Sequence, residues 1–241
     1  MSVATILTIA GVFLLIVAGV VLRSVGSGFR IGRLLGGTPE VSIDDALAIA
    51  DSDAQRYVRV TGRISSDEEF PDDQNRPLVF RRTRLAARGA EGRWETVLDE
   101  REAVPFGVEA RSSYIAVDDV ALGEGLVVIP RESAGRVSDL PPDFGVDPPA
   151  GADPVAPARL TIEQLSAVEQ ATIVGQPIRR GGVAIMTAGL GRPLIVTTLE
   201  QPAAMRVLAH GRRGRVVLGT AVLALGLGLL AGAAGAFLLG A

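Results

Sequence analysis

Acidic side chains form the densest group of chemistry-bearing residues in this sequence. Asp67, Glu68, Glu69, Asp72 and Asp73 lie in one polar segment, and carboxylate oxygens are the ligands that Ca²⁺ prefers. The EF-hand spacing and its internal glycine are absent, so a solvated acidic loop is the favoured interpretation. Paired carboxylates that act as general acid and base need two contrasting environments. No sequence pattern indicates such a pair here. We therefore assign no catalytic residue and no metal ligand.

Cysteine and histidine offer little further chemistry. The sequence has no cysteine and a single histidine, His210. This composition excludes disulfides, thiolate zinc sites and a catalytic cysteine. A Ser-His-Asp relay would have to use His210, the single histidine. We interpret His210 as a polar residue beside the second apolar segment, and we predict no cofactor.

Two glycine-containing runs bracket one predicted strand. Arg179-Arg180-Gly181-Gly182 precedes it and Gly189-Leu190-Gly191 follows it. Neither run has the spacing of a phosphate-binding loop that opens a helix. Hairpin turns are therefore the favoured interpretation of both.

Both ends of the chain carry long uncharged segments. Residues 3–22 and 216–239 contain no charged side chain, and about 20 apolar residues suffice for a helix to cross a bilayer. We expect two transmembrane helices, an integral protein of the cell membrane, and contacts with membrane lipid. A signal peptide is the alternative for the first segment, although it lacks a basic start and a clear cleavage site.

The charges divide the chain into an acidic middle and two basic flanks. All basic residues are arginine, and seven of the 24 flank the apolar segments on their inner sides. The middle keeps 17 arginines against 27 acidic residues, a net charge of −10. Basic flanks stay cytoplasmic, so we expect the middle domain on the cytoplasmic side. An acidic body argues against nucleic acid as a partner.

Small residues recur every fourth position in the second apolar segment. Such a stripe lets helix backbones approach closely, which indicates helix packing with the first segment or with a second copy in a homo-oligomer. The residues concerned are Thr220, Ala224, Gly228, Gly232, Ala236 and Gly240.

The sequence predicts a β-rich domain in the middle of the chain. Residues 23–40 suggest a juxtamembrane linker rich in Gly and Arg, and Ser42 with Asp45 predicts a capped helix from about 43 to 51. Short strand patterns separated by turn residues follow over 41–205, interrupted by a Pro-rich loop at 137–158. The expected fold class is therefore two transmembrane helices flanking a β-rich (α+β) domain, in the form of a small barrel or sandwich.

The order of several short motifs resembles the GIDE family, the membrane E3 ubiquitin ligases with a "beside-a-membrane" domain. The matching residues are Gly62, Arg82-Thr83, Trp94, Val104-Pro105-Phe106, Val174-Gly175 and the run PLIVTTLEQ at 193–201. The family's eukaryotic members add a zinc-binding RING, which a chain without cysteine lacks, so the resemblance implies the domain without ubiquitin transfer. Those members also place the domain away from the cytosol, in conflict with the arginine argument.

The expected function is that of a non-enzymatic, membrane-anchored protein-interaction module of GIDE type. The resemblance also leaves open an accessory role in membrane-protein quality control, or in a ubiquitin-like ligase system. A carboxylate-dependent hydrolase is the third alternative. Trp94, Val104, Pro105 and Phe106 are candidates for the surface that binds an unknown protein partner, with core packing as their other interpretation.

Overall fold

The computed structural model describes residues 3–52, 54–89, 91–123, 125–139, 153–209 and 213–238. It divides the chain into two compact units. The helical unit is Met1–Gly36 with Pro202–Ala241, and the strand unit is Gly37–Gln201. The helices are α1 (Val3–Gly37), α2 (Ile43–Ala50), α3 (Gln201–Ala209) and α4 (Arg213–Leu238).

Helix α1 continues through the segment for which the sequence predicts a linker. Ile31 and Leu35, one turn apart, are both buried. A Cβ at Gly32 would lie 2.9 Å from the sulfur of Met205 on α3. Packing along this face accounts for the helical conformation of a stretch whose glycines suggest a loose chain.

The prediction of two transmembrane helices is wrong. A helical span needs about 20 predominantly apolar residues, and no helix in the described part of the chain is long and apolar enough to cross a membrane. The assignments of 3–22 and 216–239 as spans are corrected on that ground. The expected integral membrane location, with its cytoplasmic middle domain, loses its basis as well.

The strand unit contains the β-rich α+β fold that the alternating patterns predict. The strands of the described residues are β1 (Val58–Ser65), β2 (Phe70–Pro71), β3 (Pro77–Arg88), β4 (Trp94–Ala103), β5 (Gly107–Ala110), β6 (Ser113–Val117), β7 (Leu126–Val127), β8 (Arg131–Arg136), β9 (Pro157–Ser166), β10 (Gln170–Arg180), β11 (Val183–Thr187) and β12 (Ile195–Thr197). They form two sheets.

The first sheet closes on itself, and we call it the closed sheet. Its ring runs β1-β5-β6-β11-β10 and returns to β1 through an antiparallel pairing of β10 with β1. Strands β6 and β11 are parallel, and β12 with β7 extends the sheet beside β10. Gly62 lies where β1 crosses β5, since a Cβ there would stand 2.6 Å from the carbonyl oxygen of Glu109. The turn between β10 and β11 is the predicted hairpin, with positive φ at Gly181 and Gly182.

Helix α2 packs against this closed sheet. The Ser42 hydroxyl accepts a hydrogen bond from the Asp45 amide at 3.0 Å, which confirms the predicted cap. Ile43 and Ala46 then enter the main core, where they join the inward side chains of the ring.

The second sheet is built from two excursions of the chain, and we call it the inserted sheet. One excursion lies between β1 and β5 and supplies β2, β3 and β4. The other lies between β7 and β10 and supplies β8 and β9. The order across the sheet is β4-β3-β9-β8, with β2 beside the start of β3. Phe80 and Leu165, opposite each other on β3 and β9, are buried in the main core and join the inserted sheet to it.

Candidate functional site

Strand β4 forms an open edge of the inserted sheet. It pairs with β3 on one side, and no described strand pairs with its other side. None of its ten residues is buried, although a strand that packs against a core buries alternate residues. An edge strand presents a row of unpaired backbone N–H and C=O groups to solvent. We therefore take the β4 edge, Trp94–Ala103, as the candidate functional site.

Two ion pairs fix the strands beneath this edge. Arg82 on β3 donates from Nε and Nη2 to the two carboxylate oxygens of Asp99 on β4, each at 2.7 Å. Arg84 on β3 pairs with Glu163 on β9 at 2.9 Å. The hydrogen bond from Arg82 lowers the pKa of Asp99, against a partial burial that would raise it. A two-pronged arginine–carboxylate contact restricts both side chains, so the open edge is held by its neighbour in one geometry.

An aromatic side chain marks the start of the edge. Trp94 is 50 % exposed, and the guanidinium of Arg159 on β9 lies 5.5 Å from its ring centroid. The cation over the ring face orients the indole without covering it. Trp and Arg are both among the residue types enriched in the hot spots of protein–protein interfaces.

The other predicted surface residues lie elsewhere. Val104 and Pro105 follow the far end of β4, roughly 30 Å from Trp94 at 3.3 Å per residue. Phe106 is buried in the main core, and Val104 packs against that core. Pro105 is exposed, and its carbonyl accepts a hydrogen bond from Ser66 at 2.6 Å. The structure thus places only Trp94 of the four on the β4 edge.

One of the five candidate carboxylates, Asp72, serves as a structural acceptor. Asp72 accepts hydrogen bonds from the amides of Gln74 and Arg76 and from the Arg76 side chain, each at 2.8 Å. The Arg76 hydrogen bonds lower the pKa of Asp72 to about 2. In the described ranges, no group of three or more acidic or histidine side chains is placed to hold a metal ion.

Asp118 joins three separate chain segments. Its carboxylate accepts from the Thr187 hydroxyl at 2.7 Å, from Arg180 at 3.1 Å and from the Ala121 amide at 3.3 Å. Burial would raise the pKa of Asp118, but these donors hold it below its usual value. A general acid needs a raised pKa. Asp118 therefore has a structural role, in which it connects the end of β6 to the β10–β11 hairpin.

A second exposed aromatic lies on the closed sheet. Tyr114 on β6 is 44 % exposed. Partial burial raises the pKa of its hydroxyl, and the charges of Asp67 and Glu109 raise it further. These acidic surroundings oppose the approach of a phosphate backbone.

The small-residue stripe lies apart from the helix contact inside the chain. Gly226 on α4 and Gly11 on α1 meet closely, since a Cβ at Gly226 would lie 3.2 Å from the carbonyl oxygen of Gly11. By contrast, a Cβ at Gly228 or Gly232 would have no described atom within 4 Å. Thr220 and Ala224 are exposed, Ala236 lies in α4, and Gly240 is outside the described residues. The stripe therefore stays a prediction, now limited to contacts other than the Gly11–Gly226 crossing.

Sequence reasoning missed the two β9 side chains that support the candidate site. Strands β8 and β9 were not predicted, so Arg159 and Glu163 had no assigned position. The alternation in RLTIEQL, residues 159–165, is a strand signal that could have found β9. His210, by contrast, lies outside the described residues.

No protein-family model matches the chain, and no curated protein and no solved structure matches it. The resemblance to the GIDE family therefore rests on the residues quoted above.

Proposed function

We propose that this protein is a non-enzymatic protein-interaction module that binds an extended segment of a partner protein along the β4 edge. One observation carries the proposal. A ten-residue strand with no buried residue has no pairing partner on one side among the described strands, and it begins at a half-exposed tryptophan. A strand of this length has more backbone hydrogen-bonding capacity than its own fold uses.

Strand addition accounts for the open edge and for the side-chain contacts that hold β4 and Trp94 in place. An added strand gains affinity from backbone hydrogen bonds and specificity from alternate side chains. The Arg82–Asp99 contact keeps β4 extended before the partner arrives, which lowers the ordering cost of binding. Trp94, oriented by Arg159, supplies an apolar anchor at one end.

The other expected functions rank below this one. A role in quality control would use the same edge, and the identity of the partner would decide it. A hydrolase needs a carboxylate with a raised pKa, whereas the pKa values of Asp72, Asp99 and Asp118 are all lowered. The acidic surroundings of Tyr114 disfavour the use of the closed sheet for nucleic acid.

Site-specific cross-linking tests the proposal. A photo-reactive amino acid replaces Thr96, the third residue of β4, or Val168, an exposed residue between β9 and β10 that serves as the control. We expect one partner to be captured from Thr96 and not from Val168. Trp94→Ala should weaken capture about 30-fold, since a hot-spot tryptophan contributes about 2 kcal/mol or more.

The purified complex then identifies the mode of binding. Backbone amides of β4 should exchange more slowly with deuterium in the complex, because an added strand pairs with them. Equal capture from both positions, or protection confined to β5 and β6, would contradict strand addition at this edge.

A further inference from the structure

Two glutamates on the β4 edge have no partner in the described chain. Glu100 and Glu95 lie opposite Thr83 and Ala87 of β3, on the face that also carries Leu98. Glu102 shares this face but is paired with Arg81 at 2.6 Å. Within the described residues, no ion pair or side-chain hydrogen bond engages Glu95 or Glu100.

The irregularity in β4 sets the spacing of these charges. Glu100, Leu98 and Glu95 face Thr83, Leu85 and Ala87, because the pairing register shifts between Leu85 and Ala86. Strand β3 thus meets the three β4 side chains at positions i, i+2 and i+4 of its own sequence, and we take the same spacing for a strand added on the open side. All three positions lie on one face of that strand.

We infer that the segment added to β4 is basic, with Arg or Lys at positions i and i+4 and an apolar residue between them at i+2. This inference rests on the proposed function and specifies the chemistry of the partner. Opposite charges on neighbouring strands stabilise pairing, and like charges oppose it. The basic positions meet Glu100 and Glu95, and the apolar position meets the half-buried Leu98.

A second copy of the chain fits this edge poorly. Pairing two β4 strands would place their glutamates side by side. Strand β8, which no described strand pairs with on its outer side, carries Arg131 and Arg136 five positions apart, so the two arginines point to opposite faces. The position four residues after Arg131 is Gly135. A β8 strand could therefore neutralise only one of the two glutamates.

Three fluorescent twelve-residue peptides test the inference against the full chain. All share a Thr/Val background with a central leucine. One has arginines at i and i+4, one has glutamates there, and one has arginines at i and i+3, which lie on opposite faces. In fluorescence anisotropy we expect the first peptide to bind about tenfold more tightly than the second and severalfold more tightly than the third. Raising the salt should reduce this preference.

Exposed glutamates permit matched variants. Glu95→Gln or Glu100→Gln should each weaken binding of the first peptide about two- to fivefold, the size of one cross-strand charge pair. The double variant Glu95→Lys/Glu100→Lys should prefer the glutamate peptide. Glu132→Gln, at an exposed glutamate on the β8 edge, is the control and should leave binding unchanged.

Two outcomes overturn the inference. If the arginine and glutamate peptides bind equally, or neither binds, the segment is not selected by these charges; capture of a partner from Thr96 would then still support strand addition. If mass photometry shows an oligomer of the wild-type chain that Glu95→Lys/Glu100→Lys disperses, the edge is occupied by a second copy. If, in addition, no partner is captured by cross-linking from Thr96, the proposed function itself is rejected.

Discussion

At the scale of single residues, three carboxylates of this protein connect parts of the chain by accepting hydrogen bonds. Asp72 closes the turn before β3 by accepting two backbone amides and the Arg76 side chain. Asp118 and Asp99 likewise join segments that are distant in sequence. In each case the donors stabilise the ionised form, so the acidic composition contributes to the fold as long as these groups stay charged.

The pKa of Asp72 leads to a testable pH dependence. Its folded value of about 2 lies below the usual 3.8. The ionised side chain therefore stabilises the fold above about pH 4, and this contribution is lost as the pH falls towards 2. Denaturant unfolding of the wild type and Asp72→Asn from pH 2 to 6 should show a stability difference that is largest above pH 4 and shrinks towards pH 2.

The neighbouring residue supplies the control for this measurement. Asp73 is exposed and has no hydrogen-bonding or ionic partner among the described residues, so Asp73→Asn should give a curve that follows the wild type. An Asp72→Asn curve parallel to the wild type over the whole range would show that the Arg76 contact contributes nothing to the folded state.

At the scale of elements, the curvature of the closed sheet depends on glycines at strand crossings. A Cβ at Gly62 would stand 2.6 Å from the Glu109 carbonyl oxygen, a backbone atom that cannot move without shifting β5. We expect Gly62→Ala to cost about 1–3 kcal/mol of unfolding free energy, the usual range for overpacking. Gly135→Ala on the exposed strand β8, whose Cβ would meet nothing nearer than 3.8 Å, is the matched control. Equal stability of the two variants in urea unfolding would refute the close approach.

The helices and strands also show which parts of the fold can be predicted from local sequence patterns. Ser42 and Asp45 predicted α2 correctly, because a cap and its helix are local in sequence. The turn at Gly181-Gly182 is local as well. Strand β8, with no buried residue, offers no periodic signal. The β4 edge became visible only with the pairings of β3, β4 and β9, which depend on contacts distant along the chain.

The arginines of β3 show why the candidate site needed the structure. Arg82 and Arg84 lie two positions apart in the pattern RRTR, which by itself suggests a basic strand. The fold divides them between Asp99 on one side and Glu163 on the other. Which glutamates remain unpaired, and therefore available to a partner, follows from those pairings and not from the local sequence.

At the scale of the whole molecule, the core is concentrated in the strand unit. Its large apolar cluster extends from Ile43 on α2 to Val196 on β12 and includes inward residues of every strand of the ring. All 27 acidic residues also fall within Gly37–Gln201. The strand unit thus has its own core and most of the charge that keeps a domain in solution.

We therefore expect the fragment Gly37–Gln201 to fold alone. A domain of this size buries about two thirds of its unfolded surface, enough for one cooperative transition. In calorimetry at physiological salt, which screens its net charge of −10, the fragment should unfold in a single transition. Its closed-sheet amides should be protected from deuterium exchange.

A shorter fragment supplies the contrast for this last prediction. Ending the chain at Leu194 removes β12, which pairs with both β10 and β7 and places Ile195 and Val196 in fully buried positions. Removing two such side chains together with their strand pairing costs several kcal/mol, comparable with the whole stability of a typical domain. This fragment should therefore lack a cooperative transition. If Gly37–Gln201 behaves in the same way, the strand unit depends on the helices for its stability, and its core is not self-sufficient.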